Sequence, residues 1–280
     1  VATAAAAAAA TATNSGLFQN GTLDRRLDRD GYLVVDFLRA SQLDEVRALF
    51  RAFAPRYRGA FAATLLIPDP AHRAEVHGRL AEILTPAVDA VFREVRSVFW
   101  GFINKQPDGA GAMPLHQDIT MVSEKEGPGL SVWAPLVDVG VGNGGLQVVP
   151  GSHRLSSGPR APGTPFPCPE LEPQIRERHL QTLELTAGQA VVMDHGTYHA
   201  SPPNTGLESR PVVAGVLAGR NQPLRYCHRL DPAAESSELD VFEVDDDFYL
   251  RHAIGLRPEG LAPIARVAEA RTPIRLDELG

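Results

Sequence analysis

Two short stretches hold residue types that can do chemistry together. In "PLHQDITMV", His116 and Asp118 stand at i and i+2. Alternate side chains of a strand share a face, so both can meet one ion. An imidazole and a carboxylate need at least one further ligand, and two histidines with one carboxylate suit Fe(II) and leave coordination positions open. "MDHGTYHAS" is the obvious source of the second histidine. Its His195 and His199 are four apart, as in a helical zinc pair, but "QAVVMD" before them reads as a strand, Gly196 interrupts and "SPPN" follows. A helix is not expected there, so the two histidines need not share a face. Arg210 bears on the choice between them. A dicarboxylate that chelates iron through its keto acid end needs a cation at its far end, and arginine offers a planar two-donor fork. Arg210 opens "RPVVAGVLAG", which in a hairpin would return beside His199. That geometry favours His199.

These residues must be positioned by strands. From Val98 to about Gly219 short runs such as "VFWGFIN", "LSVWAPLVDV", "GLQVVPG", "LQTLELT", "QAVVMD" and "PVVAGVLAG" follow one another without intervening helical periods. This predicts antiparallel sheets in a sandwich, barrel or jelly roll. Upstream, "GYLVVDF" reads as a strand and Ser41 as an N-cap, followed by Leu43, Val46, Leu49 and Phe50 at helical spacing. A second helix is expected over 71–96. Residues 156–173 form a long proline-rich loop. Beyond 230 the chain turns acidic and reads as a C-terminal extension (231–280) with one helix.

The totals bound the function. A chain of 280 residues with 44% hydrophobic and 22% charged residues is an ordinary globular protein. The formal net charge of −7 disfavours a polyanionic partner, so nucleic acid is not expected. Cys168 and Cys227 form neither a disulfide framework nor a zinc site, which fits a cytoplasmic protein. No membrane span is expected. "VATAAAAAAATAT" lacks the charged start of a signal peptide, and residues 1–22 are set aside as low-complexity or disordered. Residues 23–280 are expected to form a single domain, with a core barrel at about 98–220.

The ordered set "GYLVVDFL", "HQD", "NGGLQVVPGSH" and "HAS…N…R" resembles the phytanoyl-CoA dioxygenase family of Fe(II)/2-oxoglutarate oxygenases over roughly residues 23–220. The resemblance implies a mainly β fold, a double-stranded β-helix of the jelly-roll or cupin type with flanking α-helices. It makes His116, Asp118 and His199 the iron ligands and Arg210 the anchor for the distal carboxylate of 2-oxoglutarate. Ser201 becomes a hydroxyl partner of that carboxylate, and Trp133 a neighbour of the cosubstrate. The implied cofactors are Fe(II), 2-oxoglutarate and O2, with succinate and CO2 as coproducts. The implied reaction is oxidation of an unactivated C–H bond, most simply hydroxylation, of a small molecule in natural-product biosynthesis. Desaturation or ring formation is the alternative outcome. Related halogenases replace the carboxylate ligand by a small residue, so Asp118 argues against halogenation.

Other polar residues have plainer readings beside functional ones. Asn104 and Gln106 lead into the His116 strand and share a face that can reach cosubstrate or substrate. Arg220, Arg225 and His228 follow the last core strand and can receive an anionic group or simply be solvated. His195 is expected to support the site without ligating, His153 to shape its loop, and Asn143, Gly144 and Gly145 to make a turn. Two rival functions use the same barrel: a cupin-like metal isomerase or hydrolase, and a non-catalytic ligand-binding barrel. In the first, Arg210 and Ser201 would lack the purpose given above; intact His116, Asp118 and His199 argue against the second.

Overall fold

"YLVVD" forms the first strand, β1 (Tyr32–Asp36), but a helix precedes it, α1 (Gly21–Asp30), in the computed structural model, which describes residues 16–155, 158–234, 237–269, 274 and 277. Asn20 caps α1 by accepting from the Thr22 N–H at 2.9 Å, and Gly31, at φ 76°, closes it. With only Leu23 and Leu27 apolar, the segment gives too thin a stripe to read as a helix. Phe18 is fully buried against Phe92, with ring centroids 5.1 Å apart, so the folded chain starts before residue 23. The alanine-rich residues 1–15 lie outside the described part.

Helix α2 (Ala40–Phe53) begins one residue ahead of Ser41, with Arg39 at the cap and the Gln42 side chain accepting from the Arg39 N–H. Its predicted stripe of Leu43, Val46, Leu49 and Phe50 is buried. After β2 (Phe61–Ala63), helix α3 (Pro70–Val91) starts on an Asp69 cap with Pro70 in its first turn. It stops short of 96 because Phe92 is extended and Glu94 takes a positive φ of 50°, turning the chain into β3 (Val95–Lys105). The core strands continue as β4 (Met113–His116), β5 (Leu130–Pro135) and β6 (Gln147–Val148). Past the proline-rich segment and α4 (Glu172–Arg178) come β7 (Gln181–Thr182), β8 (Gln189–Asp194), β9 (His199–Ser201) and β10 (Arg210–Gly219).

Two antiparallel sheets result, β1-β8-β5-β10-β3-β2 and β4-β9-β6-β7. They face each other across a cavity lined by Trp133 and Ala214 from one and Met113 and Ala200 from the other. This is the two-sheet layout of a double-stranded β-helix. The outer face of the larger sheet packs Trp100, Phe102 and Val213 against α2 and α3. In β3 the ladder slips between Phe99, opposite Val216, and Ser97, opposite Leu217, leaving Val98 as the extra residue of a bulge.

One sequence expectation is corrected. β10 does not form a hairpin with β9: β9 pairs with β4 and β6, while β10 runs between β3 and β5. Pro202 and Pro203 carry no amide N–H and cannot extend the β9 ladder, so the chain crosses to the other sheet. Asn204 pins the crossing by donating to the Lys105 and Glu208 carbonyls.

The C-terminal part is mostly sheet. β11 (Leu224–Arg229), β12 (Glu238–Val244) and β13 (Ala265–Ala268) pair in that order, and the expected helix is one turn, α5 (Phe248–Arg251). Buried Asp240 on β12 accepts from Arg257 and from Arg266, and Arg73 of α3 donates to the Leu250 carbonyl. The Asp240 pairs hold the extension together, and the Arg73 bond ties it to α3.

Close strand packing yields a paired test. A Cβ on Gly215 would lie 2.1 Å from the fully buried Trp100 ring, whereas one on helical Gly78 would meet nothing within 4 Å. Gly215→Ala is expected to destabilise by about 1–3 kcal/mol through overpacking. Gly78→Ala is expected to stabilise by about 0.5–1 kcal/mol through helix propensity. Urea unfolding midpoints check both.

Candidate metal and cosubstrate site

The register of β4 on β9 sets His116 directly opposite His199, with ring centroids 4.2 Å apart. Asp118 follows β4, and its Oδ1 lies 3.7 Å from His199 Nε2. One ligand atom from each of the three falls within 4.8 Å of the others, and among the described residues no other such group of His, Cys, Asp and Glu occurs. His116 Nδ1 meets the Pro114 carbonyl at 2.7 Å and His199 Nδ1 the Thr197 carbonyl at 2.9 Å. A carbonyl only accepts, so each Nδ1 carries the proton and each Nε2 keeps its lone pair free for a metal.

Asp118 is held from three sides. Its Oδ2 accepts from Ser131 Oγ at 2.5 Å, its N–H donates to the His195 carbonyl, and its carbonyl accepts from Arg160 Nε at 2.7 Å. Arg160 is in turn ion-paired with Glu124, its carbonyl accepts from the Thr120 N–H and its own N–H donates to the Thr120 hydroxyl, so the proline-rich segment is stapled to the turn after His116. Burial pushes the Asp118 carboxyl up, but His199, His195, His116 and the Ser131 hydroxyl outweigh it and hold it down at about 2. Burial, with His199 beside it, lowers His116 to about 4. At neutral pH the pair is a carboxylate and a neutral imidazole, the forms a metal binds.

At another wall of the cavity, Arg210 is 1% exposed, its guanidinium lies 5.1 Å from the Trp133 ring centroid, and its Nε and Nη1 have no partner among the described residues. Burial pushes it down to about 10. A buried, unpaired guanidinium is costly unless an anion joins it. Lys105, opposite Arg210 in the ladder, is also fully buried and donates to the Ser201 hydroxyl and to the Ser201 and Pro202 carbonyls. Burial, with Arg210 beside it, brings it down to about 7. Val216 lies six residues along β10 from Arg210, about 20 Å in a strand, and opposite Ser131. There Leu65, Phe99, Ile119, Met121 and Val216 make an apolar wall, and the whole cavity holds about 270 Å³.

The cavity thus gathers His116, Asp118, His199, Arg210, Ser201, Trp133 and His195. His195 is 1% exposed, stands over Gly129 with both ring nitrogens unpartnered, and lies outside the three-residue cluster. Other candidates sit elsewhere. Asn104 is buried off the cavity, Gln106 reaches toward the Tyr57 carbonyl, and exposed Arg220 pairs with Glu94. The parity of β3 explains the first: Phe99, Gly101 and Ile103 face the cavity, so Lys105 continues that row and Asn104 does not, while Gln106 lies past the strand's end. Arg225 pairs with Glu243, His153 meets the Asp28 carbonyl, and Asn143 makes the turn bonds to Gly140 and Asp138. Sequence reasoning missed Lys105, Ser131 and Arg160. Alternation along β3 and β5 could have found the first two, while nothing local marks Arg160.

Two predictions follow from this geometry. His199→Ala and Asp118→Ala should abolish stoichiometric Fe(II) binding in anaerobic titrations, and His195→Ala should retain one equivalent. Burial raises the Asp194 carboxyl, which accepts from the Gly196 N–H, from 3.8 to about 7. The folded state therefore keeps a proton that the unfolded chain releases, and this group's contribution to stability falls as pH rises from about 4 through 7. Asp194→Asn should raise the melting temperature at pH 8 and leave it little changed at pH 4.

Comparison with known proteins identifies the fold and the family. The chain resembles the epimerase SnoN, solved with Fe3+, alpha ketoglutarate and nogalamycin RO, at 23% identity, covering 71% of this chain and 83% of that one, with a TM-score of 0.51. It resembles the carbocyclase SnoK from nogalamycin biosynthesis at 19% identity, with 71% and 84% covered and a TM-score of 0.52. For AviO1 from Streptomyces viridochromogenes Tue57 the figures are 21%, 71%, 94% and 0.51. At these identities the likeness is one of fold. Residues 27–212 match the family model for phytanoyl-CoA dioxygenase (PhyH), and the chain belongs to that family of non-haem iron enzymes that use 2-oxoglutarate and O2.

Proposed function

We propose that the protein is a dioxygenase that hydroxylates an unactivated C–H bond of a small, weakly polar molecule, with His116, Asp118 and His199 holding Fe(II). The carrying observation is that this cluster shares one cavity with a buried guanidinium that lacks an anion. Arg210 binds the distal carboxylate of 2-oxoglutarate, Ser201 adds a hydroxyl, and Trp133 packs beside the cosubstrate. Bound iron supplies the activation of O2, coupled to conversion of 2-oxoglutarate to succinate and CO2; one oxygen atom goes to succinate and the other to the product alcohol.

The chain's own residues do the rest. Ser131 and Arg160 fix Asp118, the Nδ1 contacts orient both imidazoles, and the apolar wall around Phe99 and Ile119 excludes water and seats the substrate. That wall presents no charged group to a substrate, which favours a neutral scaffold over a coenzyme A ester or a free amino acid. The shared fold with SnoK, a carbocyclase from nogalamycin biosynthesis, supports a role in natural-product biosynthesis. Desaturation or ring closure would use the same residues, and product analysis separates them. The chain acts as one oxygenase domain working in the cytoplasm, its folded part beginning ahead of residue 23 with buried Phe18. Among the described residues no helix is long and apolar enough to cross a membrane.

The test is direct. Anaerobic protein loaded with Fe(II) should develop a visible charge-transfer band on adding 2-oxoglutarate, and O2 should then release succinate. Arg210→Met should weaken 2-oxoglutarate binding by about 100-fold, as expected for losing a paired charge with its hydrogen bonds. Turnover without O2 or 2-oxoglutarate would instead support a cupin-like isomerase or hydrolase.

A further inference from the structure

We propose that Lys105 is a positioning residue for the cosubstrate: its ammonium group makes the Ser201 hydroxyl an obligatory donor, aimed beside Arg210 at the distal carboxylate. This rests on the functional reading above, which places that carboxylate at Arg210 and Ser201.

Hydrogen-bond bookkeeping carries the argument. Lys105 Nζ has three acceptors around it, the Ser201 hydroxyl at 2.6 Å, the Pro202 carbonyl at 2.7 Å and the Ser201 carbonyl at 3.1 Å. With Nζ protonated, as it is below about pH 7, the ammonium has three protons and no lone pair, so all three contacts are donations. The Ser201 oxygen therefore spends a lone pair on Lys105 and must send its own proton elsewhere. Ser201 lines the cavity with Arg210, and no acceptor for that proton occurs among the described residues. Arg210 Nε and Nη1 also lack partners. The hydroxyl and the two guanidinium N–H groups make a set of donors without an acceptor, the complement of a carboxylate.

The surroundings are built to keep Lys105 in place. It is fully buried, its carbonyl accepts from Asn204, and a Cβ on Gly144 would come within 3.2 Å of its Cδ. Gly144 also has a φ of 76°. The glycine serves the lysine stem as well as the turn. Without the ammonium, the Ser201 and Pro202 carbonyls are left to compete for the serine proton, and the cradle loses a donor without any residue that touches the ligand being changed.

The experiment measures anaerobic binding of two keto acids to Fe(II)-loaded protein by charge-transfer titration. 2-Oxoglutarate has the distal carboxylate, and 2-oxobutyrate keeps the chelating end but lacks it. Lys105→Met should weaken 2-oxoglutarate by about tenfold or more. Its binding of 2-oxobutyrate should change by less than about twofold, with iron stoichiometry intact. In a Ser201→Ala background the same change should have less than about a threefold effect, because the residue acts through that hydroxyl. Lys105→Gln, which keeps an N–H donor but no charge, should recover part of the affinity, and it carries the test if the methionine variant does not fold. Unchanged 2-oxoglutarate binding, equal loss of both keto acids, or full additivity with Ser201→Ala would each overturn the positioning role alone. Wild-type protein that binds iron but neither keto acid would overturn the functional reading and this inference with it.

Discussion

Two imidazoles can share one ion only if the strands that carry them are held in register, and the pairing of His116 with His199 is that hold. Most of the site hangs from it. Asp118 comes into range because it follows β4 by two residues, and the turn it occupies is fixed by Ser131, His195 and Arg160 from three separate parts of the chain. None of these contacts is local in sequence, so a metal-ready cluster exists only in the folded protein. Metal binding and folding are therefore linked, and bound metal stabilises the barrel by mass action.

The opposite requirement governs the other end of the cavity. Arg210 and Lys105 are two cations buried side by side, and burial depresses both. A fold built for stability alone would place hydrocarbon there. Lys105 is at least surrounded by acceptors, whereas two of the Arg210 nitrogens have none. The barrel thus carries a preformed positive field in a cavity otherwise walled with apolar side chains, and an incoming dianion would replace its water with fixed donors. The electrostatic asymmetry of the cavity is also what gives it a direction, with charge at one end and hydrocarbon at the other.

The strands and the chemistry-bearing residues were legible where their signals are local. Alternation and turn residues revealed most of the core strands, and the order of HxD, histidine and arginine brought forward the residues that the structure collects around one cavity. What was not legible depended on tertiary contact. Helix α1 has too few apolar residues to announce itself, the β12 and β13 strands were hidden in an acidic extension, and Pro202–Pro203 turned an expected hairpin into a crossing between sheets. Asn104 lies on β3 but with the wrong parity, because Trp100 and Phe102 pack with the helices' core, and Gln106 lies just past the strand's end. Arg160 acts from a loop, where no periodicity exists to read.

The bulge at Val98 in β3 gives that strand two independent halves. On the Lys105 side, the ladder with β10 is unbroken from Phe99 onward; on the other side it resumes one residue out of step, with Ser97 opposite Leu217. The end of β3 ahead of the bulge can therefore shift against β10 without sliding Lys105 out of line with Arg210.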